Sequence, residues 1–311
     1  MKVLLFGQNG QVGWELQRSL SVLGDVIGLD SKSSPLCGNL ANLKGLVETI
    51  RAVEPDVIVN AAAYTAVDKA ESDIETCRLL NATAVGVLAE ESKRLGSKLV
   101  HYSTDYVFSG AGNQTYSETD ATGPLSVYGQ TKLEGENAIR ASGCSHLIFR
   151  TSWVYAAHGN NFVKTVLRLA QERETLSIVG DQFGAPTGAE LIADVTAHAL
   201  HHESFKNGQA EGTFHLTAKG ETTWHEFARF IVQFAKDHHM KASAKFKVTA
   251  NKIGAIRTEA YPLPAKRPLN SRLNTTKLQM AFGLSLPPWQ TGVARVLTEM
   301  IEAEKWESLL P

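Results

Sequence analysis

The sequence has little that would direct it to nucleic acid or to a lipid bilayer. Its 311 residues carry 31 Lys and Arg against 32 Asp and Glu, a formal net charge of -1, so no long-range field attracts polyanions. The longest apolar stretch, residues 56–67, is interrupted by Asn60 and falls well short of the roughly 18 apolar residues that span a membrane. We therefore expect no nucleic-acid partner and no membrane contact.

Cysteine is also scarce. The three cysteines, Cys37, Cys77 and Cys144, are an odd number at distant positions, with neither metal-ligand nor redox-pair spacing. The apolar run before Gly7 is too short for the core of a signal peptide. These features predict a reduced, cytoplasmic protein.

What the sequence does contain is a globular composition, 43% hydrophobic and 20% charged, and a regular alternation of patterns in its first half. Short apolar runs rich in β-branched residues alternate with helical stripes of apolar residues three and four apart. The predicted strands are residues 2–6, 25–30, 56–62, 98–103 and 146–153, and a helix is predicted around residues 76–95. Such alternation predicts an α/β fold, a doubly wound parallel sheet of the Rossmann type.

Beyond about residue 155 the pattern loosens, with helices predicted at residues 161–173, 189–202 and 222–239. We expect a dinucleotide-binding domain at residues 1–153, to which about 187–218 return. Residues 154–186 and 219–311 then form a smaller α/β substrate lobe. The Pro-rich segment 260–270 is expected on the surface or over a cleft.

The first chemical motif is a glycine-rich turn. Gly7, Gly10 and Gly13 follow the first strand and open the first helix, the pattern that lets backbone approach a pyrophosphate. Asp30 ends the second strand, 20 residues after Gly10, where a carboxylate can accept bonds from an adenosine ribose. Together they predict a dinucleotide site, whereas the glycines alone are weak evidence, because a plain strand–helix turn can also contain them.

The second motif is a tyrosine and a lysine four residues apart. Tyr128 and Lys132 share one face at the start of a predicted helix, and the ammonium is expected to favour the phenolate. By itself this pair is usually a solvated helix face. Thr104, however, stands at the end of a predicted parallel strand, where open α/β sheets bind ligands, and its hydroxyl can hold a carbonyl oxygen.

With the glycine turn, the strand-end Ser103–Thr104 and the Tyr-x-x-x-Lys pair in this order, the chain resembles the extended short-chain dehydrogenase/reductases over most of its length. Within that family it is similar to the dTDP-4-dehydrorhamnose reductases. The segments that carry this similarity are NAAAYTAVD (60–68), HYSTDYVF (101–108), FRTSWVY (149–155), GNNF (159–162), DQFGAPT (181–187) and RPLNSRL (267–273).

The resemblance implies NAD(P)H-dependent reduction of the 4-keto group of dTDP-4-dehydro-L-rhamnose, for bacterial surface polysaccharide. It implies catalysis by Tyr128, Lys132 and Thr104, with Tyr128 as proton donor, and sugar contacts from Thr104, Asp105 and Trp153. The implied cofactor-binding residues are Gly7, Gly10, Gln11, Val12, Gly13, Asp30, Asn39, Leu40, Ala62, Ala63, Tyr64, Thr65, Tyr102, Tyr128 and Lys132.

Some members of the family bind a divalent metal between subunits, at positions matched by Glu15 and Glu190. A third acid is less clear, because Trp289 is followed by Gln290 rather than by a glutamate. A Mg²⁺ ion in a homodimer and two solvated carboxylates are the two alternatives here.

Three other functions compete with a reductase. An epimerase or dehydratase of nucleotide sugars is disfavoured because related dehydratases carry Glu after Ser-Thr-Asp, where this chain has Tyr106. A non-catalytic NAD(P)-binding regulatory subunit would not need Thr104, Tyr128 and Lys132 intact. A non-redox nucleotide-binding protein would leave the Tyr–Lys pair unexplained.

Overall fold

A computed structural model describes residues 1–307, with all their side chains except those of residues 241, 242 and 304–307. The strands are β1 (Lys2–Phe6), β2 (Asp25–Leu29), β3 (Val57–Asn60), β4 (Lys98–Thr104), β5 (His146–Thr151), β6 (Val154–Tyr155), β7 (Leu176–Val179), β8 (Phe183–Gly184), β9 (Thr187–Gly188), β10 (Gly212–His215), β11 (Thr222–Thr223) and β12 (Ile253–Ile256).

The α-helices are α1 (Gln11–Leu20), α2 (Leu43–Val53), α3 (Val67–Ala70), α4 (Ile74–Arg78), α5 (Ala84–Leu95), α6 (Val127–Ser142), α7 (Phe162–Glu172), α8 (Ala189–His201), α9 (Glu203–Lys206), α10 (Trp224–Asp237), α11 (Thr276–Phe282) and α12 (Trp289–Glu307). No helix of the described part of the chain combines the length and apolar character needed to cross a bilayer.

Six strands form one parallel sheet in the order β10-β5-β4-β3-β1-β2. The chain runs outward from β1 to β2 and then returns to place β3 on the other side of β1. The order therefore reverses beside β1, and the carboxyl ends of β1 and β3 flank a crevice of the kind in which such sheets bind ligands. The predicted doubly wound parallel sheet is confirmed.

Apolar side chains cover both faces of this sheet, because its strands are almost wholly buried. One cluster joins the sheet to α1 and α8, and another joins its opposite face to α2 and α5. A third core, separate from the sheet, packs α7, α10 and α12 around Trp289 and Phe227. This third core belongs to the second half of the chain, where we predict the substrate lobe.

The later elements cross between these two parts. Strand β10 pairs with β5 at the edge of the main sheet, and α8 packs against α1. The remaining short strands pair two by two, as β6 with β9, β7 with β12 and β8 with β11. The boundaries that we give for the two lobes remain a prediction, and residues 308–311 of the second lobe lie outside the described residues.

Two predicted elements differ from the observed ones. The strand expected at residues 146–153 ends at Thr151, because Trp153 has a φ of +51°, which no strand accommodates. The helix predicted at residues 76–95 begins at Ile74 and is interrupted by a π-helical turn at Leu79–Thr83. Both irregularities lie at the crevice, where such distortions commonly mark functional sites.

A buried ion pair ties α6 to the sheet. Glu136 is fully buried, and its carboxylate accepts bonds from Arg150 of β5 at 2.9 and 2.7 Å. Burial raises the pKa of Glu136, but the hydrogen bonds and charge of Arg150 outweigh it and leave that pKa below its ordinary value. This pair fixes the helix that carries Tyr128 and Lys132.

Replacing Arg150 by Met should destabilise the protein by about 3–5 kcal/mol, because the Glu136 carboxylate would remain buried with the charge of Arg140 alone beside it. The matched control is Arg168→Met, which breaks an exposed pair with Glu172 on α7 and should cost less than about 1 kcal/mol. Urea unfolding at neutral pH measures both changes. Equal losses in the two variants would show that the buried pair does not hold α6.

Candidate active site

A tight glycine turn joins β1 to α1 at the carboxyl edge of the sheet. Gly7 has a φ of +85°, and a Cβ placed on it would lie 2.7 Å from the amide nitrogen of Ala62. A Cβ on Gly13 would lie 1.9 Å from the carbonyl oxygen of Gly7. Glycine at these two positions therefore allows α1 to approach β1, and β1 to approach the loop after β3.

The amino end of α1 offers backbone N–H groups to a ligand. Gly10 precedes the helix in extended conformation and supplies no side-chain cap, so Gln11 and Val12 begin it without one. The positive end of a helix, equivalent to about half an elementary charge, favours a phosphate at this point. Gly7, Gly10, Gln11, Val12 and Gly13 thus form a strand–turn–helix cradle that fits a pyrophosphate.

Asp30 lies directly after β2, beside this cradle. One of its oxygens accepts the amide hydrogen of Lys32 at 2.7 Å, and the other accepts a bond from the side chain of Asn9, within the glycine turn. The carboxylate is only partly buried. It therefore stands where the predicted contact with an adenosine ribose requires it.

The predicted adenine contacts, Asn39 and Leu40, are brought to the same strand end by a close backbone contact. A Cβ on Gly38 would lie 2.3 Å from the carbonyl oxygen of Asp30. Leu40 is buried, and the side chain of Asn39 accepts a bond from the amide of Ala41 at 3.0 Å. Residues 38–40 therefore form the wall next to Asp30.

The loop after β3, which contains Ala62, Ala63, Tyr64 and Thr65, is held by a buried asparagine. Asn81 accepts the amide hydrogen of Tyr64 at 2.8 Å and donates to its carbonyl oxygen at 3.1 Å. Asn81 sits in the π-helical turn between α4 and α5, which directs its side chain to this loop. The turn thus shapes the segment predicted to line the nicotinamide.

Thr104, at the end of β4, meets Tyr128 from the first turn of α6. The threonine hydroxyl donates to the carboxylate of Asp105 at 3.0 Å and is hydrogen-bonded to the phenol of Tyr128. The ring of Tyr106 packs edge-on against that of Tyr128, with centroids 5.5 Å apart. The structure therefore brings together two of the residues predicted to contact the sugar, Thr104 and Asp105, and the predicted proton donor Tyr128.

Asp105 is buried in this cluster with one carboxylate oxygen lacking a partner among the described residues. Burial raises the pKa of Asp105 to about 6, although bonds from Ser271 and Thr104 favour the charged form. The unpartnered oxygen can accept a hydrogen bond from a ligand hydroxyl, which suits the predicted contact with a sugar.

Lys132 lies one helical turn after Tyr128 and is almost completely buried. Its Nζ donates to the carbonyl oxygen of Tyr102 at 2.6 Å and lies 3.1 Å from Nε2 of His101. Burial lowers the pKa of Lys132 to about 8, against the opposing charge of Glu136.

The expectation that Lys132 favours the phenolate of Tyr128 is wrong for this structure. Burial raises the pKa of Tyr128 well above its ordinary value, only partly opposed by the bond with Thr104. The Lys132 side chain is directed at Tyr102 and His101 instead of at the phenol. Tyr128 consequently keeps its proton at neutral pH, the form that a proton donor needs.

Tyr102, predicted on the nicotinamide side, contributes its main chain rather than its ring. Its phenol is hydrogen-bonded to Thr196 of α8 at 2.8 Å, inside the core on the other face of the sheet. Only its carbonyl oxygen reaches Lys132. This geometry therefore provides no side-chain contact from Tyr102 to the nicotinamide.

Trp153 stacks on Trp224, with ring centroids 3.8 Å apart, and lies against Gly184. Its left-handed backbone, rare for a bulky residue, turns the indole away from the strand direction of β5. The two stacked rings form an apolar wall in the second half of the chain, which suits the predicted packing on a sugar.

The Pro-rich segment is fastened to the cofactor side of the crevice. Arg267 makes two bonds to the carboxylate of Asp68, at 2.9 and 2.8 Å, and the amide of Ala265 donates to the same carboxylate at 3.2 Å. Tyr261 and Leu263, earlier in the segment, are exposed. The segment thus lies on the surface and is joined to the loop after β3, as its composition predicts.

Glu15 and Glu190 do approach each other, but they do not form a metal centre within the chain. Burial raises the pKa of Glu190 to about 7, and the charge of Glu15 contributes to the same shift. Among the residues that the structure describes, no group of three or more His, Cys, Asp or Glu side chains could hold a metal ion. The predicted Mg²⁺ site is therefore not supported.

Four residues of the site were not predicted from the sequence. Asn60, Asn81, His101 and Trp224 orient the loops and side chains around the crevice. Asn60 ends β3, and His101 lies three residues before Thr104 on β4, so their closeness to predicted site segments is the signal that would have pointed to them. Nothing in the sequence indicates the π-helical turn that directs Asn81, or the pairing of Trp224 with Trp153.

Comparison with known proteins places the whole chain in one family. The model of the RmlD substrate binding domain matches residues 1–302. The chain is 56% identical over 300 residues to a dTDP-4-dehydrorhamnose reductase of Salmonella typhimurium strain LT2, covering 96% of this chain and 98% of that protein.

Solved structures agree with this similarity. A dTDP-4-dehydrorhamnose reductase of Clostridium acetobutylicum superposes with a TM-score of 0.85 at 34% identity, over 96% of this chain and 99% of that one. The enzyme of the same name from Bacillus anthracis, solved in complex with NADP, gives 0.85 at 33% identity, with the same coverage.

The glycine turn provides a test of the cradle. Gly13→Ala should abolish tight cofactor binding, because the added Cβ would push α1 away from Gly7. Gly86→Ala is the matched control, since Gly86 also lies inside a helix but a Cβ on it would make only an ordinary contact, 3.5 Å from Cβ of Ala138. Fluorescence titration with NADH measures both. Unchanged affinity in Gly13→Ala would contradict a close approach of α1 to the cofactor.

Proposed function

The chain belongs to the dTDP-4-dehydrorhamnose reductase family, and on that premise we propose that it reduces the 4-keto group of dTDP-4-dehydro-L-rhamnose to give dTDP-L-rhamnose. NADH or NADPH is the reductant. The Bacillus anthracis relative was solved in complex with NADP, which supports a nicotinamide cofactor for this chain.

One observation carries the proposal: the buried phenol of Tyr128, hydrogen-bonded to Thr104, lies at the end of β4, on the same edge of the sheet as the glycine cradle. A continuous line of contacts joins the two parts. Lys132 contacts His101, His101 contacts Asn60, and the loop that follows Asn60 touches Gly7. A proton donor and a dinucleotide cradle on one edge of a sheet are what a keto reduction requires.

The cofactor and the protein supply different parts of the reduction, the hydride and the proton. When bound, the nicotinamide supplies the hydride that adds to the carbonyl carbon. Tyr128 gives its phenolic proton to the carbonyl oxygen, and Thr104 holds the phenol in place while its own hydroxyl lies within reach of the same oxygen. Burial keeps the proton on Tyr128 until negative charge develops on the substrate.

Lys132 and the loop after β3 position the cofactor. Two directions around Nζ are taken by Tyr102 and His101, so one remains for the hydroxyls of the nicotinamide ribose. Ala62, Ala63 and Thr65 line the nicotinamide side, held by the Tyr64–Asn81 bonds. Gly10, Gln11 and Val12 bind the pyrophosphate.

The sugar lies between the two parts of the chain. Asp105 accepts a bond from a sugar hydroxyl with its free oxygen, and Trp153, supported by Trp224, packs on the ring. The bonds of Arg267 to Asp68 join the Pro-rich segment to the cofactor side of the crevice. These contacts set the carbonyl against Tyr128.

We further propose that the product serves lipopolysaccharide or O-antigen synthesis and that the enzyme works in the cytoplasm as a homodimer. The family resemblance supports the pathway, and the free cysteines Cys37, Cys77 and Cys144 suit a reducing compartment. Gel filtration combined with light scattering measures the oligomeric state.

Tyr128→Phe tests the proton donor. This variant should bind NADH nearly normally yet lose about 10²–10⁴-fold in kcat, because only an interaction made in the transition state is removed. Tyr116→Phe, which removes a phenol bonded to Ala111, is the control and should keep kcat. Steady-state kinetics with dTDP-4-dehydro-L-rhamnose decide, and wild-type turnover in Tyr128→Phe would rule out its assigned role.

Substitutions of Asp30 and Lys32 test which cofactor the protein prefers. The carboxylate of Asp30 suits the 2′-hydroxyl of NADH, whereas the exposed Lys32 can neutralise the 2′-phosphate of NADPH. We expect a NADH preference of about tenfold, equivalent to about 1.4 kcal/mol, with measurable NADPH activity.

Lys32→Ala should therefore weaken NADPH selectively, and Asp30→Ala should weaken NADH while relieving repulsion of NADPH. The ratio of kcat/KM for the two cofactors measures the effect. If each variant changed both cofactors equally, neither residue would read the 2′ position.

A further inference from the structure

His101 links Lys132 to the neighbouring strand through a buried chain of polar groups. Its Nε2 lies 3.1 Å from Nζ of Lys132, and its Nδ1 lies 3.1 Å from Nδ2 of Asn60. Asn60 and His101 are opposite each other in the β3–β4 register, so both side chains lie on the face that α6 covers. Each is 1% exposed, which excludes bulk water from the chain.

The direction of each hydrogen bond between Asn60, His101 and Lys132 follows from the backbone amide of Ala62, whose role is fixed. The amide of Ala62 is a donor, and it points at Oδ1 of Asn60 at 3.2 Å. The other atom of the carboxamide, Nδ2, is therefore the one that faces His101, and it can only donate. Nδ1 of His101 must accept this bond, so it carries no hydrogen.

The ring hydrogen of His101 then sits on Nε2 and points at Lys132. Nζ of Lys132 must accept it, which only the unprotonated amine can do, while one N–H of Lys132 still donates to the carbonyl of Tyr102. A protonated Lys132 requires either loss of the bond with His101 or rotation of the Asn60 amide against the Ala62 N–H. Both changes cost free energy, because every group involved is buried.

We propose that Asn60 and His101 are positioning residues that lower the proton affinity of Lys132 by presenting it with a hydrogen-bond donor. This proposal rests on the proposed function, in which Lys132 positions the nicotinamide ribose. The arrangement is set by the backbone after β3 and does not depend on the substrate.

Other groups around Lys132 act in both directions. On α6, Glu136 raises the pKa of the lysine, and Cys77 of α4 contributes in the same sense, while burial lowers it to about 8. Tyr128, on the same helix, keeps its proton and so adds no charge. On β4, burial and the charge of Lys132 hold the pKa of His101 well below its ordinary value, so the imidazole is neutral.

The tautomer of His101 is measurable in the free protein by ¹⁵N NMR of the histidine side chains, assigned with His101→Gln. We expect hydrogen on Nε2 and none on Nδ1 at neutral pH. The opposite tautomer, or an imidazolium, would overturn the proposal. This readout does not need turnover, so it separates failure of the proposal from failure of the proposed function.

Asn60→Asp should reverse the direction of the hydrogen bonds that join Asn60, His101 and Lys132. A carboxylate can accept from both the Ala62 amide and Nδ1–H of His101, so the hydrogen moves to Nδ1 and Nε2 becomes an acceptor for the ammonium of Lys132. The NMR tautomer should switch. The pKa of Lys132 should rise, so the step in the kcat/KM pH profile that follows Lys132 should move upward by roughly one pH unit.

Asn137→Asp is the control, since it adds the same charge to an exposed position of α6 that accepts only from Arg140. It should leave both the tautomer and the pH profile as in the wild type. An Asn60→Asp variant with the wild-type tautomer, or with a pH profile identical to that of Asn137→Asp, would overturn the coupling. The wild-type tautomer alone decides the donor assignment if Asn60→Asp fails to fold.

Discussion

The site depends on burying the side-chain amino group of Lys132 at the carboxyl end of the sheet. Water cannot solvate Lys132 there, so protein groups must surround it, and each of them constrains a different element. Tyr102 supplies a carbonyl from β4, His101 brings in β3 through Asn60, and Glu136 connects the same helix to Arg150 of β5. The position of one side chain is thus fixed by three adjacent strands.

This constraint also explains the position of the proton donor. Tyr128 lies one turn before Lys132, so anchoring the lysine places the phenol at the end of β4, where it is hydrogen-bonded to Thr104. With the lysine directed at the strands, the effect of burial outweighs that bond and keeps the pKa of the phenol raised. The arrangement favours donating a proton to a carbonyl over abstracting one from an alcohol, which agrees with a reductase. Tyr106, where related dehydratases carry Glu, lacks the acid that elimination needs.

The sequence was sufficient for the regular parts of the structure. Apolar runs and helical stripes predict five of the six strands of the sheet, all except β10, because burial leaves a strong pattern, and the glycine spacing predicts the cradle. The left-handed Trp153 and the π-helical turn at Asn81 were not predictable, since both result from tertiary contacts. Nor does spacing reveal that burial outweighs the Lys132 charge at Tyr128, because a pKa depends on where neighbouring groups point.

We propose that this chain reduces a 4-keto sugar nucleotide, with Tyr128 as the proton donor. The most direct measurement mixes purified protein, NADH and dTDP-4-dehydro-L-rhamnose, with other 4-keto sugar nucleotides in parallel, and follows loss of NADH absorbance together with product structure. We predict turnover with dTDP-4-dehydro-L-rhamnose and formation of dTDP-L-rhamnose. Folded protein that binds NADH yet turns over none of these substrates would contradict the account and identify the chain as a non-catalytic, cofactor-binding subunit.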